Sequence, residues 1–408
     1  MTAVKTALVI GGGIAGPVTA LALRKAGIEA TVYEAYETTA DGVGGQLTIA
    51  PNGLAALDVV GAGDAVRAVG LPMNRTIMTD GKGKRMGEFP GLVGLPPSRA
   101  LWRPDLYRAL HDHALAQGVP TEYGKRLVGV DESPTGVTAR FADGTTATGD
   151  VLVGADGIRS TVRTLIDPKA PDPDHVPLLN FGGAADVAVP LASDAAYFSF
   201  GKKAFLGYWS QPDGTTAWFG NVPHKEPMSI AQARRTSAAE WLKRLREVFA
   251  DDAPGRELLQ RTSVEQLVVL GSLEIMPKVP HWYRDRMVLV GDSVHAPSSS
   301  SGQGASLAME SAIQLARCLR DLPDVAGAFA AYEGLRRERV EKVAWRASKT
   351  NNSKALGPVA IAMMGLMMPL AMRTFLNPEK TLGAEQRYRI DWQAPVTADA
   401  SRAAGNRS

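Results

Sequence analysis

The sequence predicts an α/β protein with a Rossmann-like parallel-sheet domain built from discontinuous segments, an antiparallel-sheet second domain and a C-terminal helix. Apolar strands that end in glycine or acidic turns occur near residues 7–16, 150–157 and 287–292. Short strands with alternating apolar residues fill 177–223, and an uncharged apolar stretch spans 355–372. Because the three strand-and-turn units are spread over about 280 positions, one parallel sheet has to combine distant parts of the chain.

The turn after the first strand matches the pattern G-x-G-x-x-G. Gly11 permits a tight turn, Gly13 lets a pyrophosphate approach the backbone, and Gly16 allows the helix to pack closely on the strand. Ile14 and Ala15 lie between these glycines and are assigned to the same turn. Each glycine therefore meets a separate steric requirement of dinucleotide binding.

An acidic residue completes this first unit. A strand at 7–10, a helix that ends near Gly27 and a second strand at 30–33 lead to Glu34. A carboxylate at that place can accept hydrogen bonds from both hydroxyls of a ribose. The order strand, turn, helix, strand, acid predicts that a dinucleotide binds here, whereas the simpler interpretation is a tight turn without a ligand.

The other two units place acidic residues at the ends of further strands. Asp156 follows the apolar strand in 150–163, and Asp292 follows the strand that ends at 290. The carboxyl ends of parallel strands meet at one edge of a sheet, so an extended cofactor can contact all three units. Residues 302–305 begin a helix, whose unpaired N–H groups and positive dipole end suit an electron-rich ring.

In this order, the three units resemble the three fingerprints of class A FAD-dependent monooxygenases, the para-hydroxybenzoate hydroxylase-like enzymes. The resemblance runs from residue 5 to about 345. It includes polyketide-tailoring hydroxylases and tetracycline-inactivating monooxygenases, and it implies non-covalently bound FAD, with Asp292 on the ribityl chain. The cofactor-binding residues that it implies are Gly11, Gly13, Ile14, Ala15, Gly16, Glu34, Arg103, Leu127, Asp156, Asp292, Gly302, Gln303, Gly304 and Ala305.

The resemblance also implies the reaction. NADPH or NADH is expected to reduce the flavin without a second Rossmann domain, with contributions from Asp156, Arg159 and the surface near Arg163. Reduced flavin and O2 then form a C4a-hydroperoxide, which places one oxygen atom on an aromatic or polycyclic, polyketide-like small molecule. Baeyer–Villiger insertion by the same intermediate stays open.

The third unit departs from the family pattern at two places. Serines occupy 298–301, where relatives commonly carry a proline, and Ser311 follows Glu310 where relatives carry an aspartate. His295 is the only imidazole predicted near the ring. We expect it to stabilise the loop by a hydrogen bond, with proton transfer as the alternative. Since the flavin itself activates oxygen, no protein base is obligatory and no catalytic residue is assigned; the candidates are His295 and Gln46.

The strands between Pro177 and Pro223 predict an antiparallel sheet that covers the substrate. Aromatic residues cluster there, although about half of them are expected to form the core of the sheet. The predicted substrate contacts are Gln46, Phe200, Tyr208, Trp218, Ser298 and Ser299.

These elements divide the chain into four predicted parts. The FAD-binding domain comprises 1–71, 100–175 and 275–350, and the substrate-binding sheet domain comprises 72–99 and 176–274. A C-terminal helical segment covers 351–392, and a frayed polar tail covers 393–408. Within the third part, the apolar stretch predicts a packed helix, with peripheral membrane contact as the alternative and no stable membrane insertion.

Composition limits the function. The net charge of +3 and the absence of long basic runs argue against nucleic acid as a partner. The single cysteine, Cys318, excludes an internal disulfide and is expected to be a buried, inert thiol. No metal site is predicted, and the expected protein is a cytoplasmic monomer or homodimer.

Three other function classes on this fold are alternatives to the monooxygenase. A flavin-dependent halogenase needs a W-x-W-x-I-P stretch, which this sequence lacks. A reductase of prenyl or other unsaturated substrates would consume no oxygen. A non-enzymatic binding protein of this fold would have lost part of the cofactor motifs, and all three are present.

Overall fold

The computed structural model describes residues 4–39, 44–353, 358–374 and 377–397. Its strands are β1 Thr6–Ile10, β2 Glu29–Tyr33, β3 Gln46–Ile49, β4 Leu71–Met73, β5 Arg75–Asp80, β6 Arg85–Pro90, β7 Ser98–Trp102, β8 Thr121–Glu122, β9 Leu127–Glu132, β10 Val137–Phe141, β11 Thr146–Gly149, β12 Val151–Gly154, β13 Asp174–Ala185, β14 Ala195–Phe200, β15 Phe205–Ser210, β16 Thr216–Pro223, β17 Val268–Ile275, β18 Tyr283–Arg284 and β19 Met287–Leu289. Its helices are α1 Ala15–Lys25, α2 Pro51–Val59, α3 Gly63–Val69, α4 Arg103–Ala116, α5 Thr161–Ile166, α6 Ile230–Ala233, α7 Ala238–Val248, α8 Ala253–Gln260, α9 Asp292–His295, α10 Gly304–Asp321, α11 Val325–Ser353, α12 Pro358–Thr374 and α13 Pro378–Gln386, with a 3-10 turn at Ser299–Ser301.

A six-stranded sheet of order β18-β19-β12-β1-β2-β8 forms the first layer of the molecule. Strand β1 pairs in parallel with β2 and β12, and β12 pairs in parallel with β19. Four strands taken from distant parts of the sequence therefore end at the same edge. The predicted fold class, with a discontinuous parallel sheet, is confirmed.

The apolar strands of the six-stranded sheet are buried under helices. The strand at 151–154 is completely buried, and α10 is buried along nearly its whole length, from Ser306 to Leu319. Strands that are covered on both faces read as continuous apolar runs, as these do. Cys318 lies in this core, where burial raises the pKa of its thiol to about 12 and keeps it protonated.

A seven-stranded sheet of order β17-β13-β16-β15-β14-β5-β6 forms the second layer of the molecule. Its strand pairs are antiparallel except for the parallel pair of β14 with β5. Helices α7 and α8 cover one face, which we call the outer face. The opposite, inner face packs in part on the small sheet β3-β7-β4.

The predicted apolar helix is present as α12. It packs on β6, where Ile361 and Met368 contact Met86. Residues 355–357 of the apolar stretch lie outside the described residues. Within the part of the chain that the structure describes, no helix is both long and apolar enough to cross a membrane.

The predicted polar tail is wrong at its beginning. Arg317 of α10 donates to the carbonyl oxygen of Ala394 at 2.6 Å, and the amide of Val396 donates to Asp321 at 2.8 Å. Val396 is buried in the main core. Fixed hydrogen-bond partners on α10 hold this polar segment, which composition alone could not reveal. Residues 398–408 lie outside the described residues.

Candidate cofactor and substrate site

The glycine turn after β1 has the geometry that its three glycines predict. Gly11 has a φ of 102°, and a Cβ there would lie 2.6 Å from the carbonyl oxygen of Ala155. A Cβ on Gly16 would lie 1.9 Å from the carbonyl oxygen of Gly11. A Cβ on Gly13 would meet no described atom within 4 Å. Two of the glycines are therefore required by packing, whereas Gly13 faces open space that a ligand can use.

The N-terminus of the helix that follows this turn has the features of an anion-binding site. Helix α1 starts at Ala15, and among the described residues no side chain caps its N-terminus. Its first turn also contains no acidic residue. Unpaired N–H groups and the positive end of the helix dipole therefore remain for a phosphate. Together with the open space at Gly13, this start fits the pyrophosphate of a dinucleotide.

Glu34 lies beside the turn, where the pattern predicts it. One carboxylate oxygen accepts a hydrogen bond from the Gly12 amide at 2.7 Å, and the other accepts from the Tyr36 amide at 2.9 Å. The Lys125 amide donates to the Glu34 carbonyl oxygen at 2.8 Å, which brings the start of β9 at Leu127 to the same place. The contact of Glu34 with a ribose stays a prediction.

Asp156 is held by its own segment. Its carboxylate accepts hydrogen bonds from the Ser160 hydroxyl at 2.5 Å and from the Val162 amide at 3.1 Å. Burial raises the pKa of this carboxyl above its ordinary value. The side chain therefore fastens the start of α5 to the end of β12, and a cofactor contact of Asp156 stays a prediction.

The arginines expected to receive the nicotinamide coenzyme differ in their position. Arg163 is buried, and its guanidinium donates to the carbonyl oxygen of Ser293 at 3.0 Å. Arg159 is exposed and pairs with Glu274 at 2.5 Å. Only Arg159 therefore presents its charge to an approaching coenzyme, whereas Arg163 fixes α5 to α9.

Asp292 lies where three motifs meet. The preceding Gly291 has a φ of 72°, and a Cβ there would lie 3.1 Å from the side chains of both Ala15 and Ala308. Asp292 is exposed to solvent, although many protein atoms lie around its carboxylate. Desolvation by these surroundings raises the pKa of its carboxyl, and the nearby charge of Arg103 acts in the opposite direction. Gly291 therefore brings the turn at Asp292 close to the start of α1 and to α10.

The serine loop forms a local hydrogen-bonded turn. The Ser298 hydroxyl is buried and accepts from the Ser300 amide at 3.2 Å, while the Ser301 hydroxyl accepts from the Gln303 amide at 3.0 Å. Gly302 adopts the left-handed conformation, with a φ of 60° and open space where a Cβ would be. Helix α10 then starts without a side-chain cap among the described residues. This second uncapped start fits the electron-rich edge of a flavin.

Ser299, the other predicted substrate residue of this loop, is exposed, whereas Ser298 is not. The neighbouring Ala305, in the first turn of α10, is half-buried. Of the two serines, only Ser299 can meet a substrate without rearrangement of the loop.

A buried ionic cluster supports the loop from below. Glu310 pairs with Arg336 at 2.8 Å and with Arg339 at 2.8 Å. The amide of Asn52 donates both to Glu310 at 2.7 Å and to the side chain of Gln303 at 2.8 Å. Burial alone would raise the pKa of Glu310, but the charges of both arginines outweigh it and lower the pKa. This cluster, which the sequence analysis missed, ties the flavin-side loop to α2 and α11.

His295 lies at the side of this cluster. Its Nε2 is 2.9 Å from the Ser311 hydroxyl oxygen, which also accepts from Arg336 Nε at 3.1 Å. Burial and the charge of Arg336 lower the pKa of this imidazole to about 3. The ring packs against Trp282. His295 is therefore a neutral, enclosed ring, which supports the loop-stabilising interpretation and argues against proton transfer.

Replacing His295 with asparagine is expected to reduce the acid sensitivity of the fold. The unfolded chain binds a proton on this histidine below about pH 6.5, whereas the folded protein does so only near pH 3. Stability therefore falls with falling pH between these values, by at most about 1.4 kcal/mol per unit for one group. Denaturant unfolding at several pH values should show a shallower slope for the variant. An unchanged slope would contradict the burial of a neutral ring.

Gln46 connects the small sheet β3-β7-β4 to the seven-stranded sheet. Its Nε2 donates to the carbonyl oxygen of Gly183 at 3.0 Å, and a Cβ on Gly182 would lie 2.8 Å from its Oε1. That Oε1 is buried and has no hydrogen-bond partner among the described residues. Gln46 therefore contacts the inner face of the sheet, and the carbonyl oxygen of Gly45 next to it accepts from the amide of Arg103, which is predicted to bind the cofactor.

The predicted substrate contacts of Tyr208 and Trp218 are wrong, because both side chains point to the outer face. Tyr208 stacks on Tyr197, and burial raises the pKa of its hydroxyl to about 12. Trp218 is fully buried and donates its indole N–H to Thr262 at 2.9 Å. Both pack under α7 and α8. Alternate residues of a strand face opposite sides, so an error of one position reverses the assignment.

The inner face carries different residues. Phe205 makes edge or tilted ring contacts with Phe198 and Phe219, which gives this face an aromatic surface. The Asn221 amide donates to the side-chain oxygen of Asn180, and both asparagines are buried. Two amides in the middle of apolar strands were the sequence signal that the analysis missed.

Phe200 is the third aromatic residue predicted to contact substrate, and its position in β14 places its side chain on the inner face. It packs near α12 in a cluster with Met78 and Met86. It therefore lies toward the edge of the sheet, and a substrate contact of Phe200 stays a prediction.

Comparison with known proteins gives consistent matches. The model of a family described as "FAD binding domain" matches residues 4–347. The FAD-dependent urate hydroxylase of Klebsiella pneumoniae is 31% identical over 355 residues, which cover 84% of this chain and 88% of that protein. The aurachin C monooxygenase/isomerase of Stigmatella aurantiaca is 30% identical over 344 residues, covering 82% and 85%. The crystal structure of Klebsiella pneumoniae HpxO with FAD and uric acid superposes with a TM-score of 0.80 at 25% identity, covering 91% of this chain and 95% of that one.

Proposed function

Because this chain belongs to the FAD binding domain family and is an FAD-dependent enzyme of the monooxygenase type, we propose that it hydroxylates a planar aromatic small molecule at the expense of NADPH or NADH. The observation that carries the substrate class is the inner face of the seven-stranded sheet. There, aromatic rings and a buried amide pair lie on the same side as Gln46. The division into an FAD-binding domain and a substrate-binding sheet domain belongs to this proposal.

The residues that would hold FAD fit its parts. The uncapped start of α1 and the open Gly13 suit the pyrophosphate, and Glu34 suits the adenosine ribose. Asp292 and Arg103 lie close enough for their charges to interact, and Asp292 suits the ribityl chain. The uncapped start of α10 suits the ring edge that gains negative charge on reduction. Bound FAD would supply the redox chemistry and the activation of O2.

The inner face supports an aromatic substrate with polar ring substituents. Phe198, Phe205 and Phe219 offer flat apolar contact, which orients a planar molecule. Asn180 and Asn221 provide amide groups, which can bind a carbonyl or a ring N–H by complementary hydrogen bonds. A urate hydroxylase among the relatives acts on a molecule of this chemical kind. Polycyclic or polyketide-like substrates fall within the proposal if they present such a ring.

The proposed reaction consumes one O2 and one reduced coenzyme for each substrate molecule. Substrate, O2, NAD(P)H and one proton give hydroxylated substrate, water and NAD(P)+, so the coenzyme supplies the two electrons that reduce the second oxygen atom. Arg159 is the exposed cation on which the coenzyme would dock. We place this reaction in the cytoplasm, where reduced nicotinamide coenzymes are available, and in a monomer or homodimer.

Oxygen labelling tests the proposal. The purified protein, reconstituted with FAD, is mixed with NADPH or NADH and with a panel of phenols, purines, quinones and tetracyclines under 18O2. We expect coenzyme oxidation, oxygen consumption and a product that carries one labelled atom. Insertion into a ring carbon–carbon bond instead of hydroxylation would be recognised from the product skeleton.

Two outcomes would contradict the proposal. A product that gains two hydrogens without oxygen consumption would establish the reductase alternative. A protein that shows no flavin absorbance bands after reconstitution would exclude FAD chemistry altogether. A heat-denatured sample of the same protein serves as the control for free flavin reacting with O2.

A further inference from the structure

Helix α12 has an apolar face that is turned to solvent. Met363, Leu366 and Met367 are 58%, 84% and 57% exposed. Their spacing of three and four residues places them on one side of the helix. In ordinary soluble helices this side carries charged or polar residues, whereas the sequence from 358 to 372 contains no charged residue.

The opposite face of α12 fixes its orientation on the protein. Ile361 and Met368 are buried in a cluster with Met78 and Met86. A Cβ on Gly365 would lie 3.3 Å from the Met86 sulfur. The helix therefore already packs on β6, and its outward apolar face is additional to what that packing needs.

An uncovered apolar helix face of this kind indicates a binding surface. The 17 residues of α12 span about 25 Å at 1.5 Å per residue. A helix with a protein-packed side and an apolar outer side can lie parallel to a bilayer and enter the headgroup region by its outer side. Such a helix lies on the membrane and does not cross it.

The charges beside α12 indicate what kind of surface covers it. The hairpin of β5 and β6, on which α12 packs, carries Lys82 and Lys84 at its turn. Both lysines are exposed, and among the described residues neither side chain has a salt bridge, although the Asp80 carboxylate lies at the same turn and accepts their backbone amides at 2.9 Å. An anionic surface would attract both lysines.

From these observations we propose that α12 docks the protein on anionic phospholipid. Met363, Leu366 and Met367 enter the interface between headgroups and acyl chains, while Lys82 and Lys84 contact the headgroups. The proposal is independent of the substrate and of the redox reaction. It predicts a peripheral, salt-sensitive association.

Vesicle sedimentation tests this docking. The FAD-loaded protein is centrifuged with vesicles of phosphatidylcholine alone and with vesicles that contain a quarter phosphatidylglycerol. We expect binding to the anionic vesicles, weaker binding to the neutral ones, and release as salt increases. The triple variant M363S/L366S/M367S should bind at least about tenfold more weakly, and K82E/K84E should lose the preference for anionic vesicles.

Matched variants separate docking from general surface effects. V69S/L115S/V128S replaces three other exposed apolar residues, and K225E/K243E replaces two exposed lysines elsewhere. Both should bind like the unchanged protein, and FAD content should be equal in all variants, which reports correct folding. Equal sedimentation of the α12 variant, or no binding to any vesicle, would overturn the proposal. A dimer that light scattering detects in the unchanged protein but not in the α12 variant would also overturn it in favour of a second copy.

Discussion

Replacing Gly16 with alanine is expected to destabilise the apoprotein and to abolish FAD binding. The new Cβ would lie 1.9 Å from the Gly11 carbonyl oxygen and 3.1 Å from its carbonyl carbon. These are backbone atoms, so no side-chain rotation can relieve the overlap, and α1 has to move away from β1. The cost should reach the upper end of overpacking, about 3 kcal/mol. Thermal unfolding of the flavin-free protein and FAD titration measure the two effects separately.

Gly13→Ala is the matched control for this prediction. A Cβ on Gly13 meets no described atom within 4 Å, and the residue is not among those with positive φ. The thermal midpoint of the apoprotein should therefore stay close to that of the unchanged chain. FAD affinity should nevertheless fall at least about tenfold, because the added methyl group occupies the path of the pyrophosphate.

The pair of variants distinguishes packing from ligand contact. If Gly13→Ala binds FAD normally, the pyrophosphate does not approach this turn, and the assignment of the turn fails. If Gly16→Ala leaves apoprotein stability unchanged, α1 is not packed on the Gly11 carbonyl as the structure has it.

Local steric and hydrogen-bonding requirements explain what the sequence could predict. Gly11 and Gly16 are visible in the sequence because no other residue type fits their backbone positions. The strand ends at 154 and 289 follow from short apolar runs bounded by glycine and acidic residues. These signals depend only on neighbouring residues, so a single sequence suffices to predict the turns and strand ends at this edge of the sheet.

The sequence does not show which face of the seven-stranded sheet each aromatic side chain occupies, and the predicted substrate contacts depended on this. In β15 and β16, aromatic residues occupy consecutive positions, such as Tyr208 with Trp209 and Trp218 with Phe219. With apolar residues on both faces, the alternation that would identify the inner face is lost. Only the packing of α7 and α8 decides that Tyr208 and Trp218 form the core.

The ionic cluster under the loop could not be predicted because it combines four distant segments. Asn52, Gln303 and Glu310 belong to α2, the serine loop and α10, and the arginines belong to α11. A charged stretch such as 336–346 is usually a solvated helix face. Here Arg336 is completely buried and Arg339 is 14% exposed. These two residues of the charged stretch are therefore not part of a solvated face.

Replacing Glu310 with leucine is expected to have the largest effect on stability. Both oxygens of Glu310 accept hydrogen bonds from Arg339, and one of them pairs with Arg336 at 2.8 Å, so the substitution leaves both arginines without their carboxylate. Removal of one partner from a buried ion pair typically costs about 3–5 kcal/mol, because the remaining charge stays desolvated. Asn52 also loses one of its acceptors, so its hold on Gln303 weakens and FAD retention should fall. Denaturant unfolding of the apoprotein and FAD titration measure both effects.

The control for Glu310→Leu is Glu274→Leu, which removes the partner of exposed Arg159. An exposed pair contributes at most about 1 kcal/mol, so this variant should unfold almost like the unchanged protein. The double variant E310L/R336M should recover part of the loss, because it removes the fully buried cation together with its partner.

The pKa of Glu310 is lowered in the folded protein, so the stability that Glu310 contributes is present above the ordinary value of about 4.3 and is lost as pH falls through the folded pKa. The difference between Glu310→Leu and the unchanged protein should therefore persist at neutral pH and shrink only in acid. If Glu310→Leu and Glu274→Leu destabilise equally at pH 7, the cluster contributes no more than a surface pair, and its role beneath the loop has to be abandoned.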